Sequence, residues 1–304
     1  MMKTGSLLAT MASAVLVACV AAALTAGPGS GQTAPVTLVG AGDIASCSQS
    51  NDSATARLLG NIPGTVYTLG DNVYPRGTAE NFRDCYDPTW GRHKKRTKPA
   101  LGNHEYYDEN YNMTTNAGPY FDYFGWRAGA RGKGYYSYDR GAWHVVVLNS
   151  NCGMVGGCGR RSPQGRWLRN DLADNPSRCA LAYFHDPLYA SGTGSDAPEV
   201  KPFWNILYNR GAEVILNGHA HRYERYAKIT PGGARSANGI RQFIVGTGGE
   251  PGGDFDGPYH PDMQRFKRNT PGVLKLNLRV DSYAWKFVPI AGKTFTDSGT
   301  TGCH

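Results

Sequence analysis

Four histidines, two aspartates, an asparagine and a tyrosine carry the chemistry of this 304-residue chain. Each sits in a short polar cluster at the end of an apolar run: Gly42-Asp43, Gly70-Asp71-Asn72-Val73-Tyr74, Gly102-Asn103-His104-Glu105, His185 and Gly218-His219-Ala220-His221. Carboxylates, imidazoles and an amide oxygen suit divalent or trivalent metal ions. The set is large enough for two ions and one proton donor. Asp71 is placed to bridge the two, one oxygen on each. His219 and His221 are two residues apart, so in an extended segment both face one side and reach neighbouring ions. Tyr74 follows Asp71 by three residues and can bend back as a ligand. A phenol with an ordinary pKa of about 10 ionises only beside strong positive charge, which points to a trivalent ion.

A lone loop aspartate more often caps a helix than binds a metal, and the ordered set is what argues for a metal site. Other histidines read differently. His144 lies in an apolar strand and is expected to be a satisfied core residue, whereas His93 and His260 fall in polar loops and are expected to be solvated, and His304 is terminal. Gly246 to Gly253 follows a strand but precedes no helix signal, so it reads as a turn-rich loop near the site rather than a phosphate cradle.

The elements that must position these residues alternate between strand-like and helix-like windows, which predicts an α/β fold. Strands are expected over Val36–Val39, Thr65–Leu69, Ala142–Leu148, Cys179–Phe184 and Ala212–Leu216, with Gln242–Val245, Val273–Val280 and Tyr283–Val288 closing a second sheet. Helices are expected over Ser50–Leu59, Thr78–Cys85, Ser162–Leu172 and Glu199–Asn209, the third opened by a Ser162 cap and Pro163. Repeatedly a strand ends where an acidic or histidine cluster begins, the edge at which open α/β sheets hold ligands.

Residues 1–26 read as a signal peptide, with Lys3 before an alanine-rich apolar stretch; 27–35 form a short linker and 36–304 a single catalytic domain. Secretion is therefore expected, and stable membrane insertion is not. Leu16-Val17-Ala18-Cys19 resembles a bacterial lipobox, which leaves lipid anchoring through Cys19 as an alternative. The remaining cysteines, Cys47, Cys85, Cys152, Cys158, Cys179 and Cys303, are even in number, as a disulfide framework requires. Cys152 with Cys158 is the natural local pair, with Cys47–Cys85 and Cys179–Cys303 to follow. The net charge is +8, and its densest basic run, Arg92 to Lys98, reads as a solvated loop before a strand. No basic helix with interleaved aromatics supports nucleic-acid binding.

Taken in order, Gly-Asp, Gly-Asp-x-x-Tyr, Gly-Asn-His-Glu, a histidine before proline and Gly-His-x-His resemble the calcineurin-like metallophosphoesterases. Tyr74, the run Gly218-His219-Ala220-His221-Arg222-Tyr223-Glu224-Arg225 and His185-Asp186-Pro187-Leu188-Tyr189 are similar to the purple acid phosphatase branch. The resemblance covers roughly residues 36 to 290. It implies a four-layer fold, two mixed β-sheets packed as a sandwich and flanked by helices. It also implies a first ion, Fe3+, held by Asp43, Asp71, Tyr74 and His221, and a second, Fe2+, Zn2+ or Mn2+, held by Asp71, Asn103, His185 and His219. His104 matches the histidine that binds the phosphoryl group and assists the leaving group, and Glu105 is expected to support its neighbours by hydrogen bonds. The wider superfamily has a histidine where this chain has Ala45, which favours Tyr74 as the replacement ligand.

The same resemblance implies a monomeric, secreted phosphatase acting on a small phosphorylated substrate. Two ions make hydroxide available near or below neutral pH for in-line attack on phosphorus. A phosphodiesterase or nucleotide pyrophosphatase of the same fold is the alternative, and a non-catalytic phosphate- or partner-binding protein a more distant one.

Overall fold

The computed structural model describes residues 1–2, 5, 35–113 and 116–304. The expected signal segment, the lipobox at Cys19 and all but the last residue of the linker lie outside these, apart from three N-terminal residues. Residues 35–304 belong to one compact unit.

Fifteen strands occur among the described residues. In chain order they are β1 (Val36–Ala41), β2 (Ala45–Ser46), β3 (Thr65–Thr68), β4 (Val73–Tyr74), β5 (Thr97–Lys98), β6 (Tyr136–Arg140), β7 (Trp143–Val147), β8 (Cys179–Tyr183), β9 (Ala212–Asn217), β10 (Tyr223–Ile229), β11 (Ile240–Val245), β12 (Met263–Lys267), β13 (Gly272–Leu278), β14 (Ser282–Pro289) and β15 (Ser298–Gly302). The helices are α1 (Asn51–Asn61), α2 (Ala79–Asn81), α3 (Gly118–Phe124), α4 (Pro163–Asp174) and α5 (Lys201–Tyr208).

Six strands form one mixed sheet in the order β15-β14-β13-β1-β3-β5, and seven form a second in the order β12-β10-β11-β9-β8-β7-β6. Within the first, β1, β3 and β5 run parallel. Within the second, β7, β8, β9 and β11 do. The two sheets pack as a sandwich. Val39, Val66 and Leu274 of the first share one core with Val145, Leu181 and Leu216 of the second. Along β7 to β9 the alternate residues Val146, Ala182 and Ile215 point the other way, into a core with Leu168 of α4 and Phe203 and Trp204 of α5. Covering both faces explains why these strands read as unbroken apolar runs.

Local signals act as expected at α4, where Ser162 Oγ accepts from Gly165 N at 3.0 Å and Pro163 opens the helix. All three disulfides pair as anticipated: Cys47–Cys85, Cys152–Cys158 and Cys179–Cys303.

Several expectations need correction. The late strands do not close one sheet: β11 joins the seven-stranded sheet, while β13 pairs with β1 and β14 with β13 in the other. The basic run is not a solvated loop, because Trp90–Arg96 is a 3-10 helix. Arg96 donates to Leu59 O, Ile62 O and Gly64 O at 2.6, 3.0 and 2.7 Å, which ties the run to the carbonyls where α1 ends. His93 and His260 are partly buried and bonded, His93 to Ala56 O at 3.0 Å and His260 Nδ1 to Asp262 N at 3.2 Å.

His144 is the satisfied core residue expected of it. Its Nδ1 and Nε2 lie 2.8 Å from Asp139 Oδ1 and from Asp171 Oδ2. Facing a carboxylate on each side, both ring nitrogens must donate, so the ring is an imidazolium. Burial opposes that charge, but the two carboxylates prevail and raise its pKa above the ordinary value. Its stabilising contribution is therefore complete below the unfolded histidine pKa of about 6.5 and is lost as pH rises through the raised folded value. Chemical denaturation of His144→Gln should show a loss of about 1.5–3 kcal/mol at pH 6 that shrinks toward pH 9. A loss independent of pH would show that the ring is neutral.

Candidate metal centre

The parallel strands of both sheets deliver their C-terminal ends to one edge. Asp43 follows β1, Asp71 follows β3 and Asn103 and His104 follow β5 in the first sheet, while His185 follows β8 and His219 and His221 follow β9 in the second. Three of these residues take left-handed backbone conformations, Asp43 at φ 59°, Asp71 at 47° and His219 at 66°. Such angles are uncommon outside glycine, and they turn each side chain back across its strand end.

Neighbouring loops lace the two carboxylates in place. Asp43 Oδ2 accepts from His219 N at 3.0 Å, and Asp71 Oδ1 accepts from His104 N at 2.9 Å. One oxygen of each is left to face the centre. Glu105 binds the Asp71 and Gly102 turns together, its carboxylate accepting from Asp71 N, Asn72 N and Gly102 N at 3.0, 2.7 and 2.7 Å. Burial and the Asp71 carboxylate push Glu105 up to about 7. Gly102 is required for contact: a Cβ there would lie 2.1 Å from Asp71 Oδ1.

Two donor groups result. In the first, the Tyr74 hydroxyl lies 3.0 Å from Asp43 Oδ1, 2.9 Å from Asp71 Oδ2 and 3.0 Å from His221 Nε2. A single phenolic proton can serve only one of these three lone pairs. His221 Nδ1 bonds Pro251 O at 2.9 Å, and since a carbonyl only accepts, Nε2 is the nitrogen that the neutral ring leaves bare for a metal. In the second group, His185 Nε2 lies 3.0 Å from Asn103 Oδ1, 3.2 Å from Asp71 Oδ2 and 3.3 Å from His219 Nδ1. His185 Nδ1 donates to Leu69 O at 2.8 Å, again freeing Nε2.

Asp71 thus reaches both groups through Oδ2 alone, since Oδ1 is held by a backbone N–H.

The electrostatics describe a buried negative centre seeking positive charge. Burial opposes ionising Asp71, yet the facing His185 and His104 hold its carboxyl well below the usual range. His221 is lifted to about 9, burial opposing and Asp43 prevailing. Burial, then Asp43 and Asp71, drive the Tyr74 phenol well above its ordinary value. Lone pairs crowd here faster than protons can satisfy them, which is the condition a metal cation relieves, so the donor set fits two ions.

All eight residues singled out in the sequence come together. His104 stands apart in position: Nδ1 donates to Pro75 O at 2.7 Å, its ring lies 4.4 Å from that of Tyr74, and Nε2 is 3.8 Å from Asp71 Oδ2. Sequence reasoning missed Asp186, whose Oδ1 is 3.6 Å from His219 Nδ1 and whose Oδ2 accepts from Ser150 Oγ at 2.6 Å. Its place directly after His185 was the available signal. The Gly246 to Gly253 loop does flank the site, through the Pro251 carbonyl.

The profile of the calcineurin-like phosphoesterase family matches residues 37–223, more than half of the chain and all eight residues of the two donor groups and His104. The chain is 27% identical over 221 residues to purple acid phosphatase 15 of Arabidopsis thaliana, covering 62% of this chain and 40% of that protein. It is 25% identical over 232 residues to a purple acid phosphatase of Glycine max, covering 70% and 48%. It thus spans less than half the length of these relatives. Among solved structures, a purple acid phosphatase from yellow lupin (Lupinus luteus) seeds superposes with a TM-score of 0.70 at 18% identity, over 89% of this chain and 54% of that one. GAP50, the anchor in the inner membrane complex of Plasmodium, does so at 0.63 and 11%, over 90% of each. At these identities the two structures show a shared fold alone. Strand-end motifs, sandwich and family profile agree: the chain belongs to the calcineurin-like phosphoesterase family, with purple acid phosphatases among its relatives.

Proposed function

We propose that this chain is a secreted phosphatase that hydrolyses small phosphate monoesters at a dinuclear metal centre. The observation that carries this reading is the pair of donor groups joined at Asp71 Oδ2. Asp43, Asp71, Tyr74 and His221 hold the first ion, and Asp71, Asn103, His185 and His219 the second. A tyrosinate ligand favours Fe3+ in the first, with Fe2+, Zn2+ or Mn2+ in the second. Bound ions would supply an activated water and charge for the phosphoryl oxygens. Around them the chain's own residues act. His104, pinned through Nδ1, presents Nε2 at the open side of the group and passes a proton to the departing oxygen. Glu105 keeps the Asp71 and Gly102 turns in register. Three disulfides and the signal-like N-terminus support export.

The test is metal analysis and a visible spectrum of the purified chain, with hydrolysis of a mono- and a diester chromogenic phosphate. Two ions, a tyrosinate charge-transfer band and preference for the monoester are expected. A colourless zinc or manganese protein would remove the ferric assignment. A faster diester would transfer the reading to phosphodiesterase, and two bound ions without turnover of either would overturn the enzyme.

A further inference from the structure

Resting on that reading, the geometry points to a leaving-group subsite, built by residues 252–268, that selects phosphate monoesters whose leaving group is one planar ring carrying an anionic group. A cleft of about 190 Å³ opens beside His219 and His221, walled by Ser195, Arg222, Phe255 and Arg268. A cavity of roughly 150 Å³ suffices for benzene, so the cleft takes one ring and little more.

Its walls match such a group. Phe255 is held by Tyr259, stacked at 5.1 Å, and by Phe266, edge-on at 5.0 Å. The ring is therefore a fixed surface for another ring to pack against. Two guanidinium groups flank it, Arg222 at 5.4 Å and Arg268 at 5.9 Å from its centroid. They are not equivalent. Arg222 is neutralised by Glu224, at 2.5 Å, and also donates to Ser191 O. Arg268 donates to the Gly253 carbonyl and has no carboxylate partner among the described residues. Asp254 also lines the cleft, and it leaves Arg268 unpaired. Residues 252–268 lie beyond the family-matched stretch.

The test uses 4-carboxyphenyl phosphate, phenyl phosphate and glycerol 2-phosphate with wild type, Arg268→Gln and Phe255→Ala. Wild type should prefer the carboxylated aryl ester over phenyl phosphate by about tenfold in kcat/KM, and Arg268→Gln should erase that ratio. Phe255→Ala should lower the aryl-to-glycerol ratio. Independently of turnover, 4-hydroxybenzoate, the alcohol released, should bind metal-free wild type more tightly than Arg268→Gln in calorimetric titration. Equal ratios in all three proteins, or equal binding of 4-hydroxybenzoate, overturn the subsite while leaving the phosphatase intact. Absence of hydrolysis of all three esters with 4-hydroxybenzoate binding intact overturns the phosphatase reading instead.

Discussion

Asp71→Asn is expected to strip both ions at once, whereas Asp43→Asn strips only the first. The contrast arises from which atoms face inward. Asp71 Oδ1 is committed to the His104 N–H, so the amide of the variant keeps its oxygen there and turns its NH2 toward Tyr74 and His185. Hydrogens then replace the lone pair that both groups share. Asp43 Oδ1 touches Tyr74 and His221, and its tie to the second group is Oδ2 accepting from the His219 backbone N–H, a bond the amide oxygen of the variant keeps. Metal analysis should therefore give close to none for Asp71→Asn and about half the wild-type content for Asp43→Asn. Losing the ions removes several kcal/mol of transition-state stabilisation, so turnover should fall at least ~10³-fold. The fold should survive, because the substitution relieves a buried carboxylate facing Glu105, and circular dichroism will report this. An Asp71→Asn protein that keeps one ion at full affinity would show that the bridge is not shared.

How much of the molecule was legible without coordinates depends on where the information lay. Buried strands such as β7 announce themselves because both faces are apolar. β10 does not, since Tyr-Glu-Arg-Tyr-Ala-Lys-Ile reads as a polar surface segment. It is buried all the same, Arg225 meeting Asp297 at 2.7 Å and Lys228 meeting Glu213 at 2.9 Å. Those partners are distant in sequence, and no local pattern reveals them. Assigning β11, β13 and β14 to sheets failed for a related reason: apolar alternation shows that a strand exists, not which strand it pairs with. At the site, residue types and order were enough to collect the donors. Orientation was not. The left-handed angles at Asp43, Asp71 and His219, the His104 N–H on Asp71 Oδ1 and the Pro251 carbonyl behind His221 are products of loop closure between segments far apart in the chain.

His104→Ala should cut turnover by about 10²- to 10⁴-fold, the usual worth of a general acid, while metal content stays at the wild-type level. The geometry separates these two readouts. Nε2 is 3.8 Å from Asp71 Oδ2, farther from the shared oxygen than His185 Nε2 at 3.2 Å. A residue placed so meets the substrate rather than sealing a metal group. Proton donation matters most when the departing alkoxide is basic, so the loss should be greatest for alkyl phosphates and smallest for 4-nitrophenyl phosphate. His104→Gln, which can still donate an N–H but cannot give up a proton, should recover KM more than kcat. Loss of an ion in His104→Ala would make His104 a ligand. An equal loss for good and poor leaving groups would confine it to binding the phosphoryl oxygens.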